Sequence, residues 1–302
     1  MDAMAELLDG VRARGAIFGQ AVMDPPWSVR FATGAQLTLV AMVRGEALVV
    51  PAEGGPVPAR AGEVVIVRGP EPFVVGDAPD APARYVVTVD DHCLRADGTQ
   101  EIAQDVRTCG ESPDGSALML AGAYDGRGGI SGRLLRTLPR VLAVPGGSPL
   151  DQIAAEITIE RPGQQVVLDR LLDLLLVSAL RGWFDRPEAN APAWYGTMDD
   201  PVVAEALGLI HDDPARPWTV AGLAASTGVS RATLARRFAA RVGEPPMAYL
   251  AEWRIALAAD LLRQSDGTVS SIARRVGYAN VFALSVAFKR LRGVTPSEYR
   301  VG

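Results

Sequence analysis

The sequence is short of cysteine, histidine and uninterrupted apolar stretches, and each shortage removes a class of protein. Two cysteines in 302 residues, Cys93 and Cys109, are too few for a disulfide scaffold or a four-cysteine zinc site. Such sparse use suits a reducing cytoplasm, the expected location. Two histidines, His92 and His211, leave little for an imidazole-based metal centre. The longest apolar run, Val166 to Phe184, is broken by Asp169, Arg170, Asp173 and Arg181 and is too charged to span a bilayer. The opening MDAMAELLDGVRARG lacks the basic-then-apolar order of a signal peptide. A membrane partner is therefore not expected.

What is present divides the chain in two. Hydrophobic residues make up 48% of the sequence, enough for substantial cores, and 302 residues fit two domains. From Pro214 onward there are 13 Lys/Arg against 5 Asp/Glu, while the whole chain has 30 against 35, so the rest holds 17 against 30. An acidic body thus carries a basic C-terminal piece, and that asymmetry points to a nucleic-acid partner for the piece alone.

Between about residues 16 and 125, short β-rich runs alternate with Pro and Gly: WSVRFAT, QLTLVAMVRG, EALVVPA, GEVVIVRG, PFVVGD, RYVVTVD and SALMLAGAY. Runs of this length separated by turn residues predict an antiparallel sandwich or barrel. From Gly132 to Trp183 the spacing becomes helical in GRLLRTLPRVLAV, PLDQIAAEITIE and QQVVLDRLLDLLLVSALRGWF. The last of these has a broad apolar face of Val167, Leu171, Leu174, Leu175, Ala179 and Leu180, suited either to packing on the barrel or to pairing with its twin in a homodimer. RPEANAPAWYG, Arg186 to Gly196, reads as a linker.

The C-terminal piece repeats a plan. Thr219 is placed to cap a first helix, Gly228 to make a tight turn and Ser230 to cap a second. From Thr268 the plan recurs, with Ile272 and Ala273 inward, Gly277 at the turn and Phe288 on the buried face. Between the repeats, Tyr249, Leu250, Trp253, Leu257 and Leu261 lie near one side of a long helix. Two helix-turn-helix units held by such a helix can address successive major-groove openings, about 34 Å apart.

At these residues the chain resembles the AraC/XylS family of transcription regulators. The likeness rests on Trp253-Arg254, Ala258, Ile272-Ala273, Val276-Gly277-Tyr278, Phe288-Lys289-Arg290, Gly293, Thr295-Pro296 and Tyr299-Arg300 in order and spacing. Upstream, PPWSVRF, GEVVIVRGPEPFVVGDAP and LLRTLPRVLAV are similar to the cupin-type sensor domain of one subgroup. The expected architecture is α+β: a cupin-like antiparallel barrel over 1–130, a helical connector and linker over 131–197, and an all-α DNA-binding domain over 198–302. The resemblance implies an effector-controlled, sequence-specific regulator that binds double-stranded DNA, responds to a small molecule or chemical signal, contacts RNA polymerase and forms a homodimer. Two other readings stay open: a cupin enzyme fused to a DNA-targeting domain, and a constitutive DNA binder.

Placed on the family pattern, the DNA-facing set is Ser230, Arg231, Ala232, Ala235, Arg236 and Arg237 in the first unit, and Asn280, Val281, Phe282, Ser285, Val286, Lys289 and Arg290 in the second. The arginines and Lys289, with Arg241 and Arg292, would neutralise phosphates. Arg236 is the candidate for a guanine contact. Family members more often carry polar or charged residues where Val281 and Val286 stand. The first unit is therefore expected to dominate specificity, the second contacting thymine methyls or gripping the backbone, with Phe282 and Val286 either at the groove or buried against the joining helix.

In the sensor half, a metal-dependent cupin enzyme is disfavoured: Pro72-Phe73 stands where related sensors often have Pro-His, and no metal or cofactor is expected. Trp27, Phe31, Phe73, Tyr85 and Tyr124 are candidates for lining a small-molecule pocket, or for simple core. Cys93 beside His92, with Cys109 further on, is a candidate redox pair.

Overall fold

The computed structural model describes residues 19–89, 93–97, 108–110, 114–124, 135, 137–158, 161–187, 189, 191, 195 and 200–301. The described residues divide into two compact units, one running over 19–124 and 138–189, the other over 191–301 with 135 and 137.

In the first unit, the described strands are β1 (Gly19–Met23), β2 (Ser28–Phe31), β3 (Leu37–Arg44), β4 (Glu46–Val50), β5 (Val57–Arg60), β6 (Glu63–Arg68), β7 (Phe73–Gly76), β8 (Tyr85–Val87), β9 (Cys93–Arg95), β10 (Thr108–Cys109), β11 (Ala117–Tyr124) and β12 (Val141–Pro145). They form two six-stranded sheets, in the orders β10-β1-β11-β3-β6-β12 and β5-β4-β7-β2-β8-β9. The pairings are antiparallel apart from β1 with β10 and β2 with β8. All seven β-rich runs of the sequence are strands. Alternation puts one face of each sheet on a shared core that includes Val29, Phe31, Val49, Val75 and Tyr85 from one sheet and Val40, Met42, Val65 and Met119 from the other. β3 is buried on both faces over its first six residues, because helices cover its outer side. Gly45 joins β3 to β4 at φ 77°, and a Cβ there would meet the Ser116 carbonyl oxygen at 2.9 Å, so this turn requires glycine.

Those covering helices are α1 (Gly147–Glu156) and α2 (Gln164–Phe184). In α2, Leu168, Leu172, Leu175, Leu176, Ala179 and Leu180 are buried, each leucine contributing about 1.5–3 kcal/mol by leaving water. The buried Tyr124 hydroxyl donates to the Leu172 carbonyl at 2.9 Å, fixing α2 on β11. Burial, reinforced by Asp173 and Asp169, holds that phenol well above its ordinary pKa. One segment departs from the helical reading: Val141–Pro145 is β12, registered on β6 from Val141 opposite Val67 to Pro145 opposite Glu63. A short apolar run fits either period, and Pro139 stops a helix from entering it.

The second unit contains α3 (Pro201–Asp212), α4 (Val220–Ser226), α5 (Arg231–Val242), α6 (Pro246–Gln264), α7 (Val269–Arg275), α8 (Val281–Arg292) and α9 (Pro296–Val301). Helix α6 serves two cores instead of presenting one side. Tyr249 and Trp253 pack with His211 of α3 and Phe238 of α5, the His211 and Trp253 rings stacked at 4.2 Å. Ile255, Ala258, Ala259 and Leu262 pack instead with Ile272, Ala273, Val276, Leu284 and Phe288 of α7 and α8. Alanines on α6 let these helices approach closely.

Candidate nucleic-acid interface

Two helix-turn-helix units emerge from these capped helices. In the first, Thr219 caps α4 by accepting from Gly222 N at 3.0 Å, Gly228 turns at φ 68°, and Ser230 caps α5 by accepting from Thr233 N at 3.1 Å. In the second, Thr268 caps α7 by accepting from Ser271 N at 3.2 Å, Gly277 turns at φ 84°, and Asn280 caps α8 by accepting from Ala283 N at 2.9 Å. The second helices correspond at an offset of fifty residues: Leu234 with Leu284 and Phe238 with Phe288 inward, Gly243 with Gly293 at the ends.

This register places the expected DNA-facing residues. Ser230, Arg231, Ala232 and Arg236 are exposed and Ala235 is half-buried on α5; Asn280, Val281, Phe282, Val286, Lys289 and Arg290 are exposed and Ser285 is half-buried on α8. Phe282 keeps 77% of its surface and Val286 55%, so neither is buried against the joining helix. Arg237 is the exception. Its Nε and Nη2 donate to Asp200 Oδ2 and Oδ1 at 2.9 and 2.7 Å, which commits the guanidinium to the protein instead of to phosphate. Asp200 also caps α3, accepting from Val203 N at 3.2 Å, and the Arg237 hydrogen bonds hold its carboxyl below the usual carboxylate range.

Several supporting residues carried no assigned role in the sequence. Arg254 donates through Nε to the Pro214 carbonyl at 2.7 Å and through Nη2 to the Arg216 carbonyl at 2.8 Å, pinning the chain before α4 to α6. Desolvation lowers its pKa, and burial raises that of Tyr278, whose ring lies 5.9 Å from the guanidinium carbon. His211 hydrogen-bonds the Tyr249 hydroxyl at 2.7 Å, a role for a buried, packed histidine. Arg300 donates to the carbonyls of Leu262 and Gly267, and Tyr299 meets Phe288 edge-on at 5.3 Å, so α9 locks the second unit. Thr295 and Glu298 close the start of α9, Thr295 N donating to Glu298 Oε2 at 2.7 Å; the two arginine clamps have carbonyl partners far away in sequence and left no local signal. Arg274 and Arg275, exposed on α7, add basic charge that the DNA-facing set omitted.

In the first unit, Trp27, Phe31, Phe73 and Tyr85 lie together in the core between the sheets, Phe31 and Phe73 stacked at 4.9 Å. Tyr124 faces α2 instead. Cys93 is disulfide-bonded and partly buried against that core; the other cysteine of the sequence, Cys109, stands in β10. Those two strands are outer strands of different sheets. His92 lies outside the described residues. Among the described residues, no group of three or more His, Cys, Asp or Glu is arranged to hold a metal, and no helix is long and apolar enough to cross a membrane.

Comparison with known proteins agrees with this division. Residues 2–185 match a cupin family and residues 223–301 a helix-turn-helix domain family. AraC-like transcription regulators of Streptomyces lividans and Streptomyces antibioticus are 34% and 33% identical, each match covering 99% of this chain and 98% of theirs. The HTH-type transcriptional regulator AlkR of Acinetobacter baylyi is 34% identical over 49% of this chain and 48% of its own. The chain belongs to the AraC-like family of DNA-binding helix-turn-helix transcriptional regulators, with a cupin domain preceding its DNA-binding domain.

Proposed function

We propose that this regulator recognises a defined double-stranded DNA site through both units, and that a signal received in the cupin domain changes how they engage adjacent major grooves. The observation that carries the reading is the exposed Arg236, one turn into α5, aligned by the Ser230 cap and the buried Leu234 and Phe238. A guanidinium there suits bidentate contact with guanine, while Arg231, Arg241, Lys289 and Arg290 serve phosphates. Readout is thus divided between base contacts and positioning contacts.

For the signal, Cys93 and Cys109 form a thiol–disulfide pair. Oxidation removes two protons and two electrons from the thiols and forms one S–S bond while hydrogen peroxide is reduced to two waters; a thiol reductant reverses it. The reading is supported by the bonded state of Cys93 and by the rarity of static disulfides in the cytoplasm, the compartment we assign. Trp27, Phe31, Phe73 and Tyr85 supply the apolar interior in which a small effector would be held. Val166, Val167 and Leu174, exposed on α2, provide a face for a homodimer. Contact with RNA polymerase is what the family resemblance implies, and it completes the reading.

Selection of bound sequences from random duplex DNA by the full chain tests the proposal. Enrichment of one site about two helical turns long, altered in occupancy by peroxide, supports it; equal recovery of all sequences overturns it.

A further inference from the structure

The two second helices share a backbone plan but not a surface. At the fifty-residue offset, Arg231, Arg236, Arg237 and Arg241 of α5 correspond to Val281, Val286, Ala287 and Leu291 of α8, and Ala232 corresponds to Phe282. Every arginine of the first helix is replaced by an apolar side chain in the second. Charge reappears further along, where Ala239, Ala240 and Val242 of α5 give way to Lys289, Arg290 and Arg292. Val281, Phe282 and Val286 keep 39%, 77% and 55% of their surface, although the core beneath them is complete with Leu284 and Phe288 fully buried.

An apolar strip of this kind costs solvation unless something covers it. Its surroundings define the cover. Arg274 and Arg275 stand exposed on α7, and Lys289 and Arg290 stand one turn beyond Val286. The strip is therefore bracketed in sequence by exposed cations, Arg274 and Arg275 on α7 before it and Lys289 and Arg290 on α8 after it, and its helix corresponds to the arginine-bearing helix of the first unit. Phe282 and Val286 are four residues apart, roughly 6 Å along the axis, close to two base steps of duplex DNA. On the floor of the major groove the one apolar group that distinguishes a natural base is the C5 methyl of thymine.

We propose that α8 reads DNA by apolar contact, with Phe282 and Val286 packing on the C5 methyl groups of thymines in the second half-site. The inference rests on the DNA-reading function above and assigns a base class to its second unit. Arg236 and the apolar pair then read chemically opposite features, guanine acceptors in one half-site and thymine methyls in the other.

The test uses the full chain and the duplex it selects. Thymines of the second half-site are replaced by deoxyuridine, which removes only the methyl group and leaves base pairing intact. Each contacted methyl should cost about fourfold in affinity, the worth of one buried methylene-sized group. Phe282→Ala and Val286→Ala should bind the thymine duplex more weakly and lose the distinction between thymine and deoxyuridine, the coupling expected of groups in contact. Both side chains lie outside the core, so these variants keep the fold. Equal affinity for thymine and deoxyuridine duplexes, with the selected sequence still preferred over random DNA, overturns the methyl contact and leaves the DNA-reading function standing. Loss of all sequence preference in the unmodified chain would overturn both.

Discussion

Arg236 and Arg237 are neighbours with different work, and the geometry of the helix separates them. Arg236→Ala should cost ten- to a hundredfold in affinity for the selected site while leaving thermal stability unchanged, because its side chain supports no core contact. Arg237→Ala should instead destabilise the fold, since Asp200 would keep its cap but lose two charge-assisted hydrogen bonds. Asp200→Asn isolates the charge while retaining a capping side chain. It should cost about 1–2 kcal/mol at neutral pH, a value kept modest because Arg237 is 36% exposed. The folded carboxyl titrates below its unfolded value of about 4, so the ion pair stabilises above that pH and is lost as pH falls through the folded pKa. Thermal unfolding of the Asp200→Asn chain should therefore converge on that of the unaltered chain as acid is added. Lys289, the one lysine of the chain, is exposed beside Arg290; every other cation is an arginine, the better partner for planar acceptors.

At the scale of elements, the turns carry the precision. Gly228 and Gly277 both sit at positive φ, yet a Cβ at Gly228 meets nothing within 4 Å, whereas at Gly277 it would meet the Ala215 backbone and Arg254 Cζ at 2.8 Å. Gly228→Ala should cost about 1 kcal/mol from backbone conformation alone, and Gly277→Ala clearly more, as read from denaturant midpoints. The helices, caps and glycine turns of the second unit were legible because each is specified by neighbours in sequence: Thr219, Ser230 and Thr268 bond to amides three residues on. The two-sided burial of α6 was not legible from its apolar stripe, because Ala256, Ala258 and Ala259 look neutral until two separate cores close on them. β12 was missed for a related reason. Its pairing with β6 is set by a strand more than seventy residues upstream, which no local period records. Within the candidate site, the outward set came from the family pattern, but the withdrawal of Arg237 depends on Asp200, thirty-seven residues away.

For the whole molecule, the charge is divided between an acidic cupin-bearing body and a basic DNA-binding piece, and only the basic piece attracts a polyanion. Replacing both Cys93 and Cys109 by serine should abolish any response of DNA occupancy to peroxide while leaving reduced-state affinity intact, measured by titration of labelled DNA with and without oxidant. Affinity should fall steeply with salt in every variant, since phosphate contacts are common to all sequences, whereas the preference for one sequence should depend on the side chains at the groove. The most direct measurement is the dissociation constant of the full chain and of its Arg236→Ala variant for the selected duplex and for a scrambled one, at two salt concentrations. Salt should weaken both duplexes together, and Arg236→Ala should narrow the gap between them about ten- to a hundredfold, leaving the part that the thymine contacts of α8 supply; a gap unchanged in the Arg236→Ala variant, or none in the unaltered chain, would overturn Arg236 as a base-reading residue.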